Sequence, residues 1–225
     1  MKSIQEFYSR NPFPGPYTWE QIMQYGYPPG NRYLKTIDRY IHDHQTILDV
    51  GCGTGLISNL FATRYLSKFV GIDFSDGIDY AQTFAKNNKI DNVEFIKQDF
   101  FNYTSDELFD TIVCQSFITH VPNYVDAIGK MSNMLKPGGT LIIGVYNNYG
   151  KILKKIINID YKNSRLAQDQ EQNPYEISFS HDQMMNLFQE YTLKQIMPSV
   201  GNRCVPLLAL MNSVNGGLTM YVFKK

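Results

Sequence analysis

Residues 47 to 55 place one acid and three glycines at fixed intervals: Ile47-Leu48-Asp49-Val50-Gly51-Cys52-Gly53-Thr54-Gly55. The apolar residues around Asp49 read as a short buried strand, the glycines as a tight turn, and Leu56 onward as the start of a helix. Such a unit presents unpaired backbone N–H groups at the helix N-terminus, where a ligand's polar or anionic end can dock. Asp49 can order the turn or accept a hydrogen bond from the ligand. The spacing is G-x-G-x-G, and Leu56 breaks the G-x-G-x-x-G pattern of dinucleotide binding. A second acid, Asp73, ends the apolar run Lys68-Phe69-Val70-Gly71-Ile72. A carboxylate at the end of the second strand of such a fold can accept both hydrogens of a ribose diol. His120 titrates near neutrality and is a candidate general base, or else caps the helix that follows it. Tyr146 and Asn147, past another apolar run, are candidate substrate contacts, as are Tyr17, Trp19 and Tyr33.

The elements that must carry these residues can be read in order. Residues 8 to 30 are rich in proline and aromatics, without helical or strand period. They read as an irregular arm, either a lid over the substrate pocket or a strap on the outside. Residues 31 to 44 read as a helix with Leu34, Ile37, Tyr40 and Ile41 on one face. Helices over 56–66 and 76–88 alternate with strands over 47–50, 68–75 and 92–96. Ser75 looks like an N-cap, with Asp76 in the first turn. Thr104-Ser105-Asp106-Glu107 carries a capping-box pattern opening a short turn. Phe109 to Ser116 reads as the fourth strand, and Asn123 to Lys136 as a helix burying Val125, Ile128, Met131, Met134 and Leu135. Pro137-Gly138-Gly139 stops that helix and starts a fifth strand ending at Tyr146. Residues 147–172 read as a variable insert that could roof the site. Ser180-His181-Asp182-Gln183 opens another helix. Residues 191–198 and 217–223 read as the last two strands, with the apolar stretch 205–211 between them.

Asp49, Gly51, Gly53 and Gly55 together resemble the D-x-G-x-G-x-G motif of class I S-adenosylmethionine-dependent methyltransferases. Asp73 and Leu135-Lys136-Pro137-Gly138-Gly139-Thr140-Leu141 are similar to two later stations of that family, in the same order. The resemblance implies an α/β, Rossmann-like, seven-stranded and mostly parallel sheet. Its last strand is antiparallel, at the sheet edge, and helices cover both faces. It implies a division into residues 1–44, an arm and helix acting as a lid, and 45–225, the cofactor-binding domain. It further implies that residues 51–56 (Gly51, Cys52, Gly53, Gly55 and Leu56) hold the methionine part of S-adenosylmethionine. Asp73, with Phe74 and Ser75, takes the ribose. Asp99 accepts from the adenine amino group, and Phe100 offers a backbone N–H. Gln115 and Ser116 lie near the sulfonium. The product would be S-adenosylhomocysteine.

Composition narrows the acceptor. Lysine plus arginine and aspartate plus glutamate both number 21, so no basic field draws in nucleic acid. Gln115-Ser116-Phe117-Ile118 departs from the [DNS]-P-P-[YFW] motif in which adenine-N6 and related amino methyltransferases resemble one another, and Cys114 sits in an apolar strand rather than the Pro-Cys setting of cytosine-C5 enzymes. The expected activity is methyl transfer to an O, N or C nucleophile of a small molecule. The alternatives are an RNA or protein acceptor reached through the Lys151–Lys155 face, and a cofactor-binding protein without turnover. Cys52, Cys114 and Cys204 make no C-x-x-C pair, and no metal site is expected. The sequence has no apolar run long enough to span a bilayer and no signal-peptide core at its start, so the expected location is cytoplasmic.

Overall fold

The structure is a computed structural model that describes residues 2–13, 15–21, 32–147, 173–197 and 218–225. The insert expected at 147–172, with Lys151, Lys154 and Lys155, and the apolar stretch 205–211 lie outside the described residues apart from Asn147, as does Cys204. The strands are β1 Thr46–Val50, β2 Lys68–Asp73, β3 Val93–Lys97, β4 Phe109–Gln115, β5 Leu135–Tyr146, β6 Thr192–Met197 and β7 Leu218–Lys224. The described helices are α1 Lys2–Arg10, α2 Arg32–Asp38, α3 Leu56–Ala62, α4 Gly77–Asn87, α5 Tyr124–Met134 and α6 His181–Leu187.

The strands form one sheet in the order β3-β2-β1-β4-β5-β7-β6. The first five pair in parallel, and β7 runs antiparallel to both its neighbours. The antiparallel last strand is therefore not at the edge, as the sequence suggested, but inserted between β5 and β6. A buried place explains its composition, because Met220, Tyr221, Val222 and Phe223 are all at most 2% exposed. β6, whose residues are mostly half-buried or exposed, takes the edge.

Side chains alternate across the sheet and build two cores. Leu48, Val50, Ile112, Cys114, Ile143 and Phe223 face the layer of α5 and α6. Ile47, Phe69, Val113, Ile142 and Val222 face α2, α3 and α4. Asp49 shares the parity of Ile47, so its carboxylate points under α3 rather than into open solvent. Each fully buried aliphatic or aromatic chain contributes about 1.5–3 kcal/mol, and these layers fix the strand ends. Strand order reverses between β1 and β4, so their carboxyl ends diverge and leave a crevice, the usual ligand position in open α/β sheets.

Local differences from the sequence reading have physical reasons. α1 extends into the stretch taken as irregular, because Ile4 is buried beneath it and Gln5 Nε2 donates to the Phe74 carbonyl at 3.0 Å. Residues 19–21 form a helical turn, in which Thr18 and Gln21 exchange reciprocal capping bonds of 2.8 and 3.2 Å. Ser75 is not the cap of α4, since the helix begins at Gly77 after Asp76. In the short turn expected at 104–107, Ser105 Oγ takes the Glu107 amide at 3.1 Å. Val125 is 57% exposed, because α5 turns its Ala127, Ile128 and Met131 face inward instead. Ser180 and Gln183 do form the expected capping box.

Candidate active site

The crevice outside β1 and β4 is a cleft enclosing about 340 Å³, its open mouth included. Gly51, Asp73, Phe74, Asp99 and Phe100 line it, five of the residues expected to bind the cofactor. The two acids therefore share one cleft. Asp73 Oδ2 accepts from the Gly53 amide at 2.9 Å and Oδ1 from the Ser75 amide at 2.8 Å. Asp99 Oδ1 accepts from the Phe101 amide at 3.0 Å and opens a 3₁₀ turn over Phe100–Asn102. Each oxygen has a second lone pair for a ligand. Lys130, from α5, donates to the Phe101 carbonyl at 2.8 Å and lies 5.4 Å over the Phe100 ring, holding that turn in place. Burial lowers its pKa, with the charge of Asp99 opposing.

The glycine turn behaves differently from expectation. Its amides are already used within the protein: Gly51 and Cys52 donate to the Ile72 carbonyl, Gly53 to Asp73, Thr54 to the Phe13 carbonyl and Gly55 to Cys52. The turn thus offers shape rather than open N–H donors. Gly51, Gly53 and Gly55 all have positive φ. A Cβ at Gly51 would stand 2.9 Å from Phe117, and one at Gly53 only 2.2 Å from the Phe13 carbonyl oxygen. Gly51 keeps the cleft floor bare, while Gly53 lets the N-terminal arm dock behind the turn.

Asp49 lies beneath the floor. Its Oδ2 accepts from Ser58 Oγ at 2.7 Å, and its Oδ1 has no partner among the described residues. Burial, with a further push from Asp73 against the Ser58 bonds, raises its pKa to about 7. Burial also pushes the Cys52 thiol well up, with Asp49 and Asp73 adding, so it is no ready nucleophile. Gly55 and Ser75 are buried, and Leu56 packs with the α3 layer. Ser116 closes β4 in the left-handed region at φ 63, and Gln115 folds over Gly144.

His120 sits at the end of a 3₁₀ turn, Phe117–His120, and is 6% exposed. The rings of Tyr8 and Tyr146 both meet it edge-on with centroids 5.7 Å away. Its Nδ1 lies 2.9 Å from Asn173 Nδ2 and 3.2 Å from the Tyr175 carbonyl. It does not cap α5, which follows Asn123. Asn147 is buried and donates to Thr219 Oγ1 at 2.8 Å.

Three proposed substrate contacts go elsewhere. Tyr17 is buried behind the glycine turn, its hydroxyl donating to the Thr54 carbonyl at 2.7 Å and accepting from Asn59 at 3.0 Å. Trp19 stacks near Phe84, and Tyr33 donates to the Leu218 carbonyl at 3.1 Å. All three belong to the layer of α2–α4 instead of lining the cleft. The arm's aromatics bury area there, which outweighs an open position. Sequence reasoning missed Ile4, Phe101, Phe117 and Val121 on the cleft wall, and Asn173 beside His120. Ile4 had a local signal, the Ile4-Phe7-Tyr8 spacing of a helical stripe. Asn173 had none.

The donor set suits a nucleoside carrying a cationic tail. Two carboxylates and Gln98 stand on a wall that is otherwise mostly apolar, the floor is bare backbone at Gly51, and a buried acid with an orphaned oxygen lies below. Among the described residues no cluster of metal-binding side chains occurs, and no helix is long and apolar enough to cross a membrane.

Residues 41–197 match the model of a family described as a methyltransferase domain. The chain is 34% identical over 118 residues to the ubiquinone biosynthesis O-methyltransferase of Coxiella burnetii, covering 51% of this chain and 50% of that one. It is 32% identical over 105 residues to (S)-coclaurine N-methyltransferase of Papaver somniferum, covering 46% and 30%. The chain thus spans half or less of the length of these relatives. The fold is similar to the N-methyltransferase NodS of Bradyrhizobium japonicum solved with S-adenosyl-L-homocysteine, with TM-score 0.65 at 14% identity over 100% of this chain and 99% of that one.

Proposed function

The chain belongs to the methyltransferase-domain family, and from that premise we propose that it methylates a small-molecule acceptor at an oxygen, nitrogen or carbon atom, using S-adenosylmethionine. The observation that carries this reading is the pairing of Asp73 and Asp99 on one cleft, over Gly51, at the point where strand order reverses. In this reading Asp73 holds the ribose hydroxyls, Asp99 and Phe100 the adenine, and the backbone at Gly51 the methionine end. When bound, S-adenosylmethionine supplies a methyl group on sulfonium, and the carbon–sulfur bonding pair stays on sulfur as S-adenosylhomocysteine forms.

With the donor already activated, the chain's work is alignment and exclusion of water. Ile4 and Phe117 both line the cleft, and in this reading α1 acts as the lid. In this reading His120, its ring flanked by Tyr8 and Tyr146, faces the acceptor. The small-molecule choice is supported by the names of the two relatives, both with small acceptors, and by balanced charge.

The test is calorimetric titration with S-adenosylmethionine, followed by transfer of labelled methyl to panels of small phenols and amines, RNA and protein. Cofactor binding with transfer to a small acceptor is the expected result. No binding by the folded chain would remove the enzyme reading, transfer to RNA or protein alone would replace the acceptor class, and binding without transfer would favour a non-catalytic role.

A further inference from the structure

We propose that Asn173 is a positioning residue that holds His120 in a single tautomer, with the ring proton on Nε2. The inference rests on the reading above only in giving His120 an acceptor to face. Asn173 Oδ1 accepts from the Tyr175 backbone N–H at 3.1 Å. A backbone amide can only donate, so this bond fixes which end of the Asn173 side chain is oxygen. Turned over, its NH₂ would meet that N–H donor to donor. The NH₂ therefore points the other way, with one hydrogen for the Tyr8 hydroxyl at 2.7 Å and one for His120 Nδ1 at 2.9 Å.

A donor facing Nδ1 requires that nitrogen's lone pair, and a neutral imidazole then carries its proton on Nε2. The Tyr175 carbonyl, 3.2 Å from Nδ1, favours the opposite tautomer but is the more distant of the two. The rings of Tyr8 and Tyr146, packed edge-on from either side, keep the imidazole from rotating away. Tyr8 comes from α1 and Asn173 from a segment 53 residues beyond His120, so lid, sheet edge and return segment meet at one ring.

The consequence is chemical. Whatever Nε2 meets, it meets as a hydrogen-bond donor. His120 then orients an acceptor oxygen or anion instead of taking a proton through Nε2. A nucleophile must arrive with its lone pair already free, as a neutral amine or an ionised hydroxyl.

Long-range ¹⁵N–¹H correlation of the imidazole nitrogens tests this on the full chain at mildly alkaline pH, with His120→Gln identifying the signals. The expected spectrum shows Nε2 protonated and Nδ1 bare, and the reverse assignment overturns the proposal. Asn173→Asp offers Nδ1 a carboxylate, so the tautomer should switch and the proton affinity of His120 rise about tenfold or more. Asn173→Ala, which adds no charge, should shift the proton toward Nδ1 and the Tyr175 carbonyl. If both variants keep the wild-type tautomer, Asn173 does not set it. S-adenosylmethionine affinity, measured alongside, should change less than about twofold in the variants, because Asn173 is not part of the cleft wall. A wild-type chain that fails to bind S-adenosylmethionine would sink the methyltransferase reading and leave the tautomer result standing.

Discussion

Asp73 has two duties that can be separated by substitution. Its oxygens take the Gly53 and Ser75 amides, which shapes the turn, and their remaining lone pairs face the cleft. Asp73→Ala removes both, and losing two charge-assisted bonds to a ribose should weaken S-adenosylmethionine binding by about a hundredfold or more in calorimetry. Asp73→Asn keeps one amide acceptor, so it should fold closer to wild type yet bind nearly as poorly. Asp49 makes a different prediction, in pH. Its folded pKa of about 7 lies above the ordinary 3.8, because burial disfavours the charge. Between those values the folded state keeps a proton that the unfolded chain has released. Unfolding free energy should therefore fall as pH rises through that window, by at most about 1.4 kcal/mol per pH unit, and level off above it. Asp49→Asn can still accept from Ser58 and has nothing to titrate. Urea unfolding at several pH values should show the wild type losing stability relative to the variant from acid to neutral, and a constant difference would refute the assignment.

Among the elements, α1 docks beside the cleft and the strand ends that form it. Ile4 forms part of the cleft wall, Gln5 bonds the Phe74 carbonyl, and Ser9 Oγ accepts from the Asp76 amide at 3.3 Å. The closed part of the cleft is about 10 Å³, room for about one water molecule, so cofactor entry requires its wall, Ile4 of α1 included, to move. Gln5→Ala with Ile4→Ala should loosen the lid and speed cofactor release severalfold in stopped flow, with little change in the sheet's unfolding midpoint. Gly53→Ala should act on the arm, since its Cβ would stand 2.2 Å from a backbone oxygen at a φ of +56. A cost of about 1–3 kcal/mol, together with new protease cleavage before residue 18, is expected. The strands and crossover helices were legible because buried parallel strands are apolar runs and glycines mark their turns, as at Leu48–Gly55. α1 was not, because a nine-residue helix owes its stability to docking, not to local propensity. The acids Asp73 and Asp99 were legible from their places after strands. Asn173 could not be, since its meaning lies in a ring far away in sequence, and Tyr17 misled because an arm tyrosine reads the same whether it faces a ligand or a core.

In the molecule as a whole three independent parts converge near His120 and the cleft: the diverging ends of β1 and β4, helix α1, and the return segment 173–179. The last strand shows what sequence leaves open at this scale. An apolar run at 218–223 fits an edge or an inserted position equally well until the neighbouring partner is known, and only the paired registers with β5 and β6 decide it. Because α1 and the strand ends meet at the cleft, a ligand there should tie them together and raise global stability. At about 100 times its Kd, S-adenosylmethionine should add about 2.7 kcal/mol. For a chain of this size that corresponds to a rise of about 5–10 °C in Tm by calorimetry. The salt dependence of binding separates the acceptor classes. Lysine plus arginine equal aspartate plus glutamate at 21 each, and the cleft's charged groups are acids, so a small neutral acceptor should bind with little change between about 50 and 200 mM salt. An RNA acceptor engaging six or more phosphates would weaken by about a thousandfold over the same range, and that loss, if seen with transfer, would move the acceptor from small molecules to nucleic acid.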